Sequence, residues 1–189
     1  GTDQNSLIRS NSDNDNDLHI LNNQIREGDY AIYLYGYNGN FPYNHESGLK
    51  VSGNTFSGQY YNVLEIQSFD SIEISYNQIL MNEYDYNTAI YLDNVKHFDI
   101  NANTIISASG QNAIRMYNCG YESFSNRSLI SNNAIYMTSS NTDNTGLNIE
   151  YLYYTDILNN TVSMNNASYY NCFNLYAYYG EGNIFFNNI

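Results

Sequence analysis

The hexapeptide INANTI, from Ile100 to Ile105, decides the fold, because its pattern returns along the whole chain. The pattern is an apolar residue, two variable residues, asparagine, one variable residue and a second apolar residue. Seven copies indicate a solenoid of stacked repeats. The other six copies are Ile20 to Ile25 (ILNNQI), Val51 to Phe56 (VSGNTF), Ile74 to Ile79 (ISYNQI), Ile130 to Ile135 (ISNNAI), Ile157 to Val162 (ILNNTV) and Ile184 to Ile189 (IFFNNI).

Asparagine occupies the fourth position of every copy, and consecutive asparagines are 23 to 31 residues apart. Stacked coils place equivalent side chains above one another at about 4.8 Å, so their amides can form a hydrogen-bonded ladder. The sequence therefore predicts a structural ladder with seven members: Asn23, Asn54, Asn77, Asn103, Asn133, Asn160 and Asn187.

A second apolar strand follows each repeat, as in Ala31 to Leu34 (AIYL) and Ala89 to Leu92 (AIYL). Strand residues alternate between the two faces, so Phe98, Ile100 and Ile105 are expected to point inward and Asp99 to face water. Parallel strands joined by crossovers are overwhelmingly right-handed. We predict an all-β fold: a right-handed, single-stranded parallel β-helix of about seven coils, forming one domain over residues 1–189.

The recurring Asn-Thr-Ile pattern resembles the parallel β-helix repeats of the pectate-lyase-like superfamily, especially those of NosD-like and surface-associated proteins. The resemblance covers nearly the whole chain. It implies the architecture, but the superfamily includes lyases, hydrolases, epimerases, phage spikes and adhesins, so a function must be argued from a site.

The composition favours a secreted β-rich protein over a cytosolic enzyme, with 22 tyrosines, no tryptophan and a net charge of −13. This charge repels nucleic acid phosphates and anionic lipid. No apolar run approaches the roughly 20 residues that would span a bilayer. The expected location is extracellular or at the cell surface, without nucleic acid as a partner and without membrane insertion.

An outward column precedes the central apolar residue of each motif: His19, Lys50, Glu73, Asp99, Leu129, Asp156 and Asn183. Stacking makes Glu73 and Asp99 neighbours, and paired carboxylates of this kind can serve a retaining glycosidase or bind a cation. A solvated acidic stripe is the simpler interpretation and the one we favour. No catalytic residues are predicted.

Tyrosines crowd the last two coils, and some of them must be exposed. Exposed tyrosines stack on sugars and also make protein contacts. The candidates for glycan or assembly contacts are Tyr151, Tyr153, Tyr154, Tyr176, Tyr178 and Tyr179. The outward column Tyr33, Glu65, Tyr91 and Arg115 is a second candidate of the same kind.

Two further motifs concern metals and glycosylation. Asp13, Asp15 and Asp17 alternate as in the first half of a calcium loop, but the second half is missing, so we predict a polar turn and no cofactor, with calcium as the alternative. Sequons place possible glycosylation at Asn126, Asn159 and Asn166.

Neither end of the chain has the polar cap that terminal coils usually need. If a second copy followed Ile189, the step from Asn187 to the next Asn23 would be 25 residues, within the range between repeats. We therefore expect a non-catalytic extracellular structural protein, either a filament subunit that stacks head to tail or a segment of a long surface adhesin. The alternative is a carbohydrate-active or carbohydrate-binding β-helix protein.

Overall fold

Three parallel β-sheets, here called I, II and III, make up most of the described chain in a computed structural model. The structure describes residues 6–11, 16–36, 46–81, 87–108, 111–120, 125–138, 144–165, 170–176 and 180–189. Strands are numbered β1 to β22 in chain order. Statements about the structure below concern these residues.

Sheets I and II have seven strands each. Sheet I contains β1 (Ser6–Asn11), β4 (Tyr30–Tyr35), β8 (Leu64–Gln67), β12 (Thr88–Asp93), β15 (Asn112–Gly120), β18 (Asn144–Tyr153) and β21 (Tyr170–Tyr176). Sheet II contains β2 (His19–Leu21), β6 (Lys50–Ser52), β10 (Ile72–Ser75), β13 (Phe98–Asn101), β16 (Ser128–Ser131), β19 (Thr155–Leu158) and β22 (Ile184–Phe186).

Sheet III has six strands, and a small two-stranded sheet joins two short pieces. Sheet III contains β3 (Gln24–Arg26), β7 (Thr55–Ser57), β11 (Gln78–Met81), β14 (Thr104–Ser107), β17 (Ala134–Met137) and β20 (Thr161–Met164). The small sheet pairs β5 (Glu46–Ser47) with β9 (Phe69–Asp70).

The chain passes from sheet I to II to III and then returns to sheet I one coil further on. Every strand pairs in parallel with its equivalent in the next coil, so the predicted all-β parallel solenoid is confirmed. About five turns form the body of the solenoid, and the predicted count of about seven includes the incomplete coils at its two ends.

The apolar core fills the space between the three sheets. Ile74, Ile100 and Ile130 stack in register on sheet II, and all three are fully buried. The predicted inward positions of Phe98, Ile100 and Ile105 are confirmed, since none is more than 4% exposed. Each coil contributes a few such side chains, so burial stabilises a coil only when neighbours cover it on both sides.

Each corner between sheets II and III requires a left-handed backbone conformation at the residue before the ladder asparagine. Gly53 adopts it at φ 68° and Asn132 at φ 54°, residue types for which this conformation costs little. Tyr76 and Ala102 also adopt it, at φ 55° and 53°. For such residues the conformation costs roughly 1–2 kcal/mol, which the packed coil must offset.

The predicted asparagine ladder runs along this corner inside the solenoid. Five of its members are at most 1% exposed: Asn54, Asn77, Asn103, Asn133 and Asn160. Asn103 is representative: its backbone N–H and its Nδ2 both donate to Oδ1 of Asn133, each at 3.0 Å. Its Nδ2 also donates to the carbonyl of Ile74 in the preceding coil, at 2.8 Å.

The last member of the ladder is Asn188, so the prediction of Asn187 is wrong. Asn160 donates from its backbone N–H and Nδ2 to Oδ1 of Asn188, each at 2.9 Å. Asn187 occupies the left-handed corner at φ 53°, where asparagine is more favourable than Phe186. The same shift by one residue puts Ile184, not Asn183, beside Asp156 in the outward column of sheet II.

Candidate interaction surfaces

The outward column of sheet II contains charged side chains that contact one another in adjacent coils. Lys50 is in register with Glu73, and Glu73 with Asp99, as predicted. Lys50 Nζ lies 2.7 Å from Glu73 Oε2, and Ser75 Oγ donates to Glu73 Oε1 at 2.6 Å. The hydrogen bond from Lys50 is the main cause that lowers the pKa of Glu73. Both oxygens of Glu73 are therefore engaged within the column.

The pKa of Asp99 is shifted in the opposite direction to that of Glu73. Burial, together with the nearby charge of Glu73, raises its pKa above the ordinary aspartate value. Its Oδ1 is buried and has no hydrogen-bond donor in the described chain. The two carboxylates have pKa values shifted in opposite directions, as in acid and base pairs, but Glu73 already forms an ion pair with Lys50. Further along, Arg127 pairs with Asp156.

The raised pKa of Asp99 gives a test of this column. The ionised carboxylate is less favourable in the folded chain than in the unfolded one, so Asp99 costs stability at neutral pH. That cost disappears as the pH falls through the pKa of Asp99 in the folded chain. We expect Asp99→Asn to raise the melting temperature at neutral pH, and the gain to vanish below the ordinary aspartate pKa.

Thermal unfolding followed by circular dichroism at both pH values measures this effect. Asp156→Asn is the matched control, because it removes the ion pair with Arg127 and should lower the melting temperature at neutral pH. A lower melting temperature of Asp99→Asn at neutral pH would contradict the proposed cost of the ionised Asp99 carboxylate.

The outer face of sheet I has a column in which aromatic and charged residues alternate. In register, it reads Arg9, Tyr33, Glu65, Tyr91 and Arg115. The Arg9 guanidinium lies 5.5 Å from the centre of the Tyr33 ring, and that of Arg115 lies 5.8 Å from the centre of the Tyr91 ring. Such contacts are cation–π interactions.

Glu65 lies at the centre of this column and is only 8% exposed. Asn62 Nδ2 donates to its Oε2 at 2.7 Å and Gln67 Nε2 to its Oε1 at 2.8 Å, which satisfies the carboxylate. Burial is the main cause that raises the pKa of Tyr91 to about 12, so its hydroxyl stays protonated. The column is an ordered surface in which two tyrosines lie between charged side chains, with an arginine at each end and Glu65 at the centre.

The tyrosines predicted as contact residues in the last coils differ in exposure. Tyr151 packs edge-on between Tyr117 and Tyr176, with ring centres 5.2 and 6.0 Å away. Tyr176 is 52% exposed, whereas Tyr154 is only 9% exposed and donates its hydroxyl proton to Glu181 at 2.9 Å. Tyr153 is half-buried. Tyr178 and Tyr179 lie outside the described residues.

The residues predicted for a possible calcium site and for glycosylation are only partly among those that the structure describes. Asp17 is exposed at a left-handed turn, while Asp13 and Asp15 lie outside the described residues. Within the described chain, no three His, Cys, Asp or Glu side chains form a group that could hold a metal ion. Asn126 and Asn159 are exposed, and Asn166 lies outside the described residues.

Sheet III has a nearly uncharged outer face, which sequence reasoning missed. Its outward residues from β7 to β20 are Thr55, Ser57, Gln78, Leu80, Thr104, Ile106, Ala134, Tyr136, Thr161 and Ser163. At its centre, Leu80, Ile106 and Tyr136 are adjacent in three consecutive coils and are 38%, 41% and 44% exposed. These three residues are named the apolar strip. The sequence contains a signal for this strip, since each of its three residues directly follows the last apolar residue of a motif.

Both end coils expose residues that the inner coils bury. At the first coil, Leu7 is 56% exposed, and together with half-buried Ile8 and Leu18 it lines an open cavity of about 830 Å³ that also reaches Asn23. At the last coil, Phe185 is stacked on Ile157 in register and is still 41% exposed. Each end thus presents apolar side chains that an adjoining coil would cover.

The ladder gives the two ends opposite hydrogen-bonding character. Each member donates to Oδ1 of the member in the next coil, from Asn23 through Asn160 to Asn188. In the described chain, Oδ1 of Asn23 therefore accepts no hydrogen bond, and the backbone N–H of Asn188 donates none. The first coil ends in an acceptor and the last coil in a donor.

These features define a parallel β-solenoid with an internal asparagine ladder. Searches against protein-family models, curated proteins and solved structures found no match to the chain. Within the described residues, no helix is long and apolar enough to cross a bilayer.

Proposed function

We propose that this chain is a non-catalytic extracellular structural protein that associates head to tail through the end faces of its solenoid. The observation that carries the proposal is the polarity of the ladder. If a second copy stacks on the last coil, Asn188 donates to Oδ1 of Asn23 in the next copy, an atom that accepts no hydrogen bond from the described residues of its own chain. Nδ2 of that Asn23 then reaches the carbonyl of Phe185, which repeats the geometry of the inner coils.

The strand directions and the apolar surfaces of the two ends support the same arrangement. Strands β21 and β22 are the edge strands of sheets I and II at one end, and β1 and β2 are those at the other end, so a further parallel strand can pair with each of them. The open apolar cavity of the first coil would receive Phe185 and its neighbours from the last coil. The contact is heterologous and does not close, so repeated stacking produces a rod.

Charge sets the conditions for this association. Copies that each carry a net charge of −13 repel one another, and dissolved salt screens the repulsion. Stacking should therefore strengthen as ionic strength rises. An acidic chain of this composition fits an extracellular location, and its ladder and repeat are the basis for proposing a relationship to surface proteins of the pectate-lyase-like superfamily.

A charged side chain on the end face tests the proposal. Phe185→Lys places an ammonium group in the apolar joint, so we expect the purified variant to lose at least about 90% of the rods seen with the unaltered chain, because an unpaired buried charge is very costly. Phe186→Lys is the matched control: Phe186 is the next residue, is 66% exposed and lies on the outer face of sheet II, in register with Leu158. It should leave assembly intact.

Negative-stain electron microscopy and sedimentation velocity, over a range of salt concentrations, measure the outcome. Circular dichroism of both variants checks that each remains folded. The proposal is overturned if the unaltered chain stays a single particle at high concentration and high salt, or if both lysine variants form rods equally well. If native material shows further coils covalently joined to the end, the same faces belong to the interior of a longer adhesin.

A carbohydrate-binding function is the second candidate, and the column of Tyr33, Glu65, Tyr91 and Arg115 favours it. The column presents ordered aromatic rings beside charged and amide groups, which is a combination that binds sugars. Binding of single, unassembled chains to a glycan array would favour this candidate over the first.

A further inference from the structure

The outer face of sheet III differs from the other two faces in its charge. Along β7 to β20 its outward residues carry no formal charge, and in the described sheet only Arg26, in the first coil, does. The outer face of sheet I includes Glu65 and Arg115, and that of sheet II includes Glu73 and Asp99. Two copies of this acidic chain therefore meet with the least repulsion through sheet III.

The apolar strip favours contact with a partner, because covering it removes apolar surface from water. Leu80, Ile106 and Tyr136 are each more than a third exposed, and they are flanked by uncharged Gln78, Thr104 and Ala134. Depletion of charge around exposed apolar and aromatic side chains is typical of the centre of a protein interface.

We infer that sheet III is the surface through which two rods of this chain associate side by side, with the apolar strip at the centre of the contact. The inference rests on the proposed head-to-tail stacking. The occupant of the strip is a second copy of the chain, because assembled rods repeat the strip at regular intervals and each strip then meets an equivalent one.

The size of the face explains why rods, and not single chains, would pair. Six strands about 4.8 Å apart, with up to four residues each, give a face of roughly 400 Å². A standard stable interface buries about 800 Å² on each partner. One copy therefore has about half the area that it needs, whereas two copies stacked in line reach it. Lateral pairing follows assembly because the weak contacts act together.

Tyr136→Glu tests the inference, with Tyr117→Glu as a control on sheet I. Because Tyr117 lies in register between Asp93 and Glu150, circular dichroism must first show that this control remains folded. The two tyrosines belong to the same coil, are 44% and 41% exposed, and lie on sheets III and I respectively. Electron microscopy of assembled material gives the widths and lengths of the rods. We expect Tyr136→Glu to reduce the fraction of paired rods at least about tenfold at unchanged rod length. Tyr117→Glu should leave pairing unaltered. Ile106→Glu provides a second substitution in the strip.

The outcomes separate this inference from the proposed function. Lateral association is overturned if the unaltered chain forms only single rods at all concentrations. It is also overturned if rods still pair in both Tyr136→Glu and Ile106→Glu. The proposed stacking holds in either case. If no rods form, stacking fails and lateral association fails with it. If unpaired rods bind neutral lipid vesicles or polysaccharide, and Tyr136→Glu removes that binding, the strip serves another partner and the inference is wrong.

Discussion

Replacing Asn103 by leucine is expected to lower the free energy of unfolding by about 3–5 kcal/mol, because each buried polar group that loses its partner costs about 1–3 kcal/mol. Leucine has the same branched arrangement of heavy atoms but no amide, and its methyl groups are bulkier than the oxygen and nitrogen they replace. The backbone N–H of Asn77 and one proton of its Nδ2 lose their acceptor, and the carbonyl of Ile74 loses a donor. All of these groups lie inside the solenoid, where water does not replace the lost bonds.

Asn101→Leu is the matched control for this prediction. Asn101 lies two residues earlier on the same coil, but it faces outward and accepts hydrogen bonds from Ser131 and Asn132 at the surface. Water replaces the exposed bond from Asn132, so we expect a smaller loss than for Asn103→Leu, about 1 kcal/mol. Equilibrium urea denaturation measures both variants. Equal losses for the two would mean that the ladder contributes no more than a surface contact.

A single methyl group at Gly120 is expected to cost about 2–5 kcal/mol, the sum of a steric and a conformational effect. Gly120 ends β15 and is in register with Tyr153 of the next coil. A Cβ atom there would overlap the carbonyl oxygen of Tyr153, so Gly120→Ala must push two adjacent coils apart. The backbone at Gly120 also has φ +93°, which alanine rarely adopts.

Gly58→Ala separates the two contributions. Gly58 has a similar φ of +86°, but a Cβ atom there would come no closer than 3.2 Å to its nearest neighbour, the backbone nitrogen of Glu27. That contact is tight but needs a shift of only a few tenths of an ångström, so we expect Gly58→Ala to lose mainly the conformational part, about 1–2 kcal/mol. Urea denaturation of the two variants compares them directly. A Gly120→Ala variant no less stable than Gly58→Ala would show that the coils at Tyr153 move apart at little cost.

The repeat made most of the fold predictable, because one requirement recurs in every coil. Apolar residues must point inward and an asparagine must follow the corner, so Asn54 to Asn160 could be identified from the sequence alone. The register of the last motif could not be identified in this way. Ile184 and Phe185 are both apolar, and an asparagine lies three residues after each of them, at Asn187 and Asn188. Only the left-handed conformation, which Asn187 tolerates better than a phenylalanine, distinguishes the alternatives.

The candidate surfaces were predictable to a smaller degree. Stacking alone placed Glu73 between Lys50 and Asp99, but the pKa of Asp99 depends on burial that the pattern does not contain. The exposure of Tyr176 and the burial of Tyr154 likewise depend on packing between neighbouring coils. The apolar strip was missed because Leu80, Ile106 and Tyr136 lie one position beyond the repeated hexapeptide.

The contacts between coils have a consequence for how the molecule resists damage. Strand pairing joins each coil to the coil before it and the coil after it, so its cohesion is set mainly by a series of similar junctions arranged in a line. Arg127 is an exception, because its guanidinium donates to the carbonyl of Gly182 two coils further on. A defect in a middle junction separates the protein into two short pieces, each with a newly exposed apolar end. A defect in the first or last junction removes only one coil. Sequence change should therefore be tolerated better toward the extremities than at the centre.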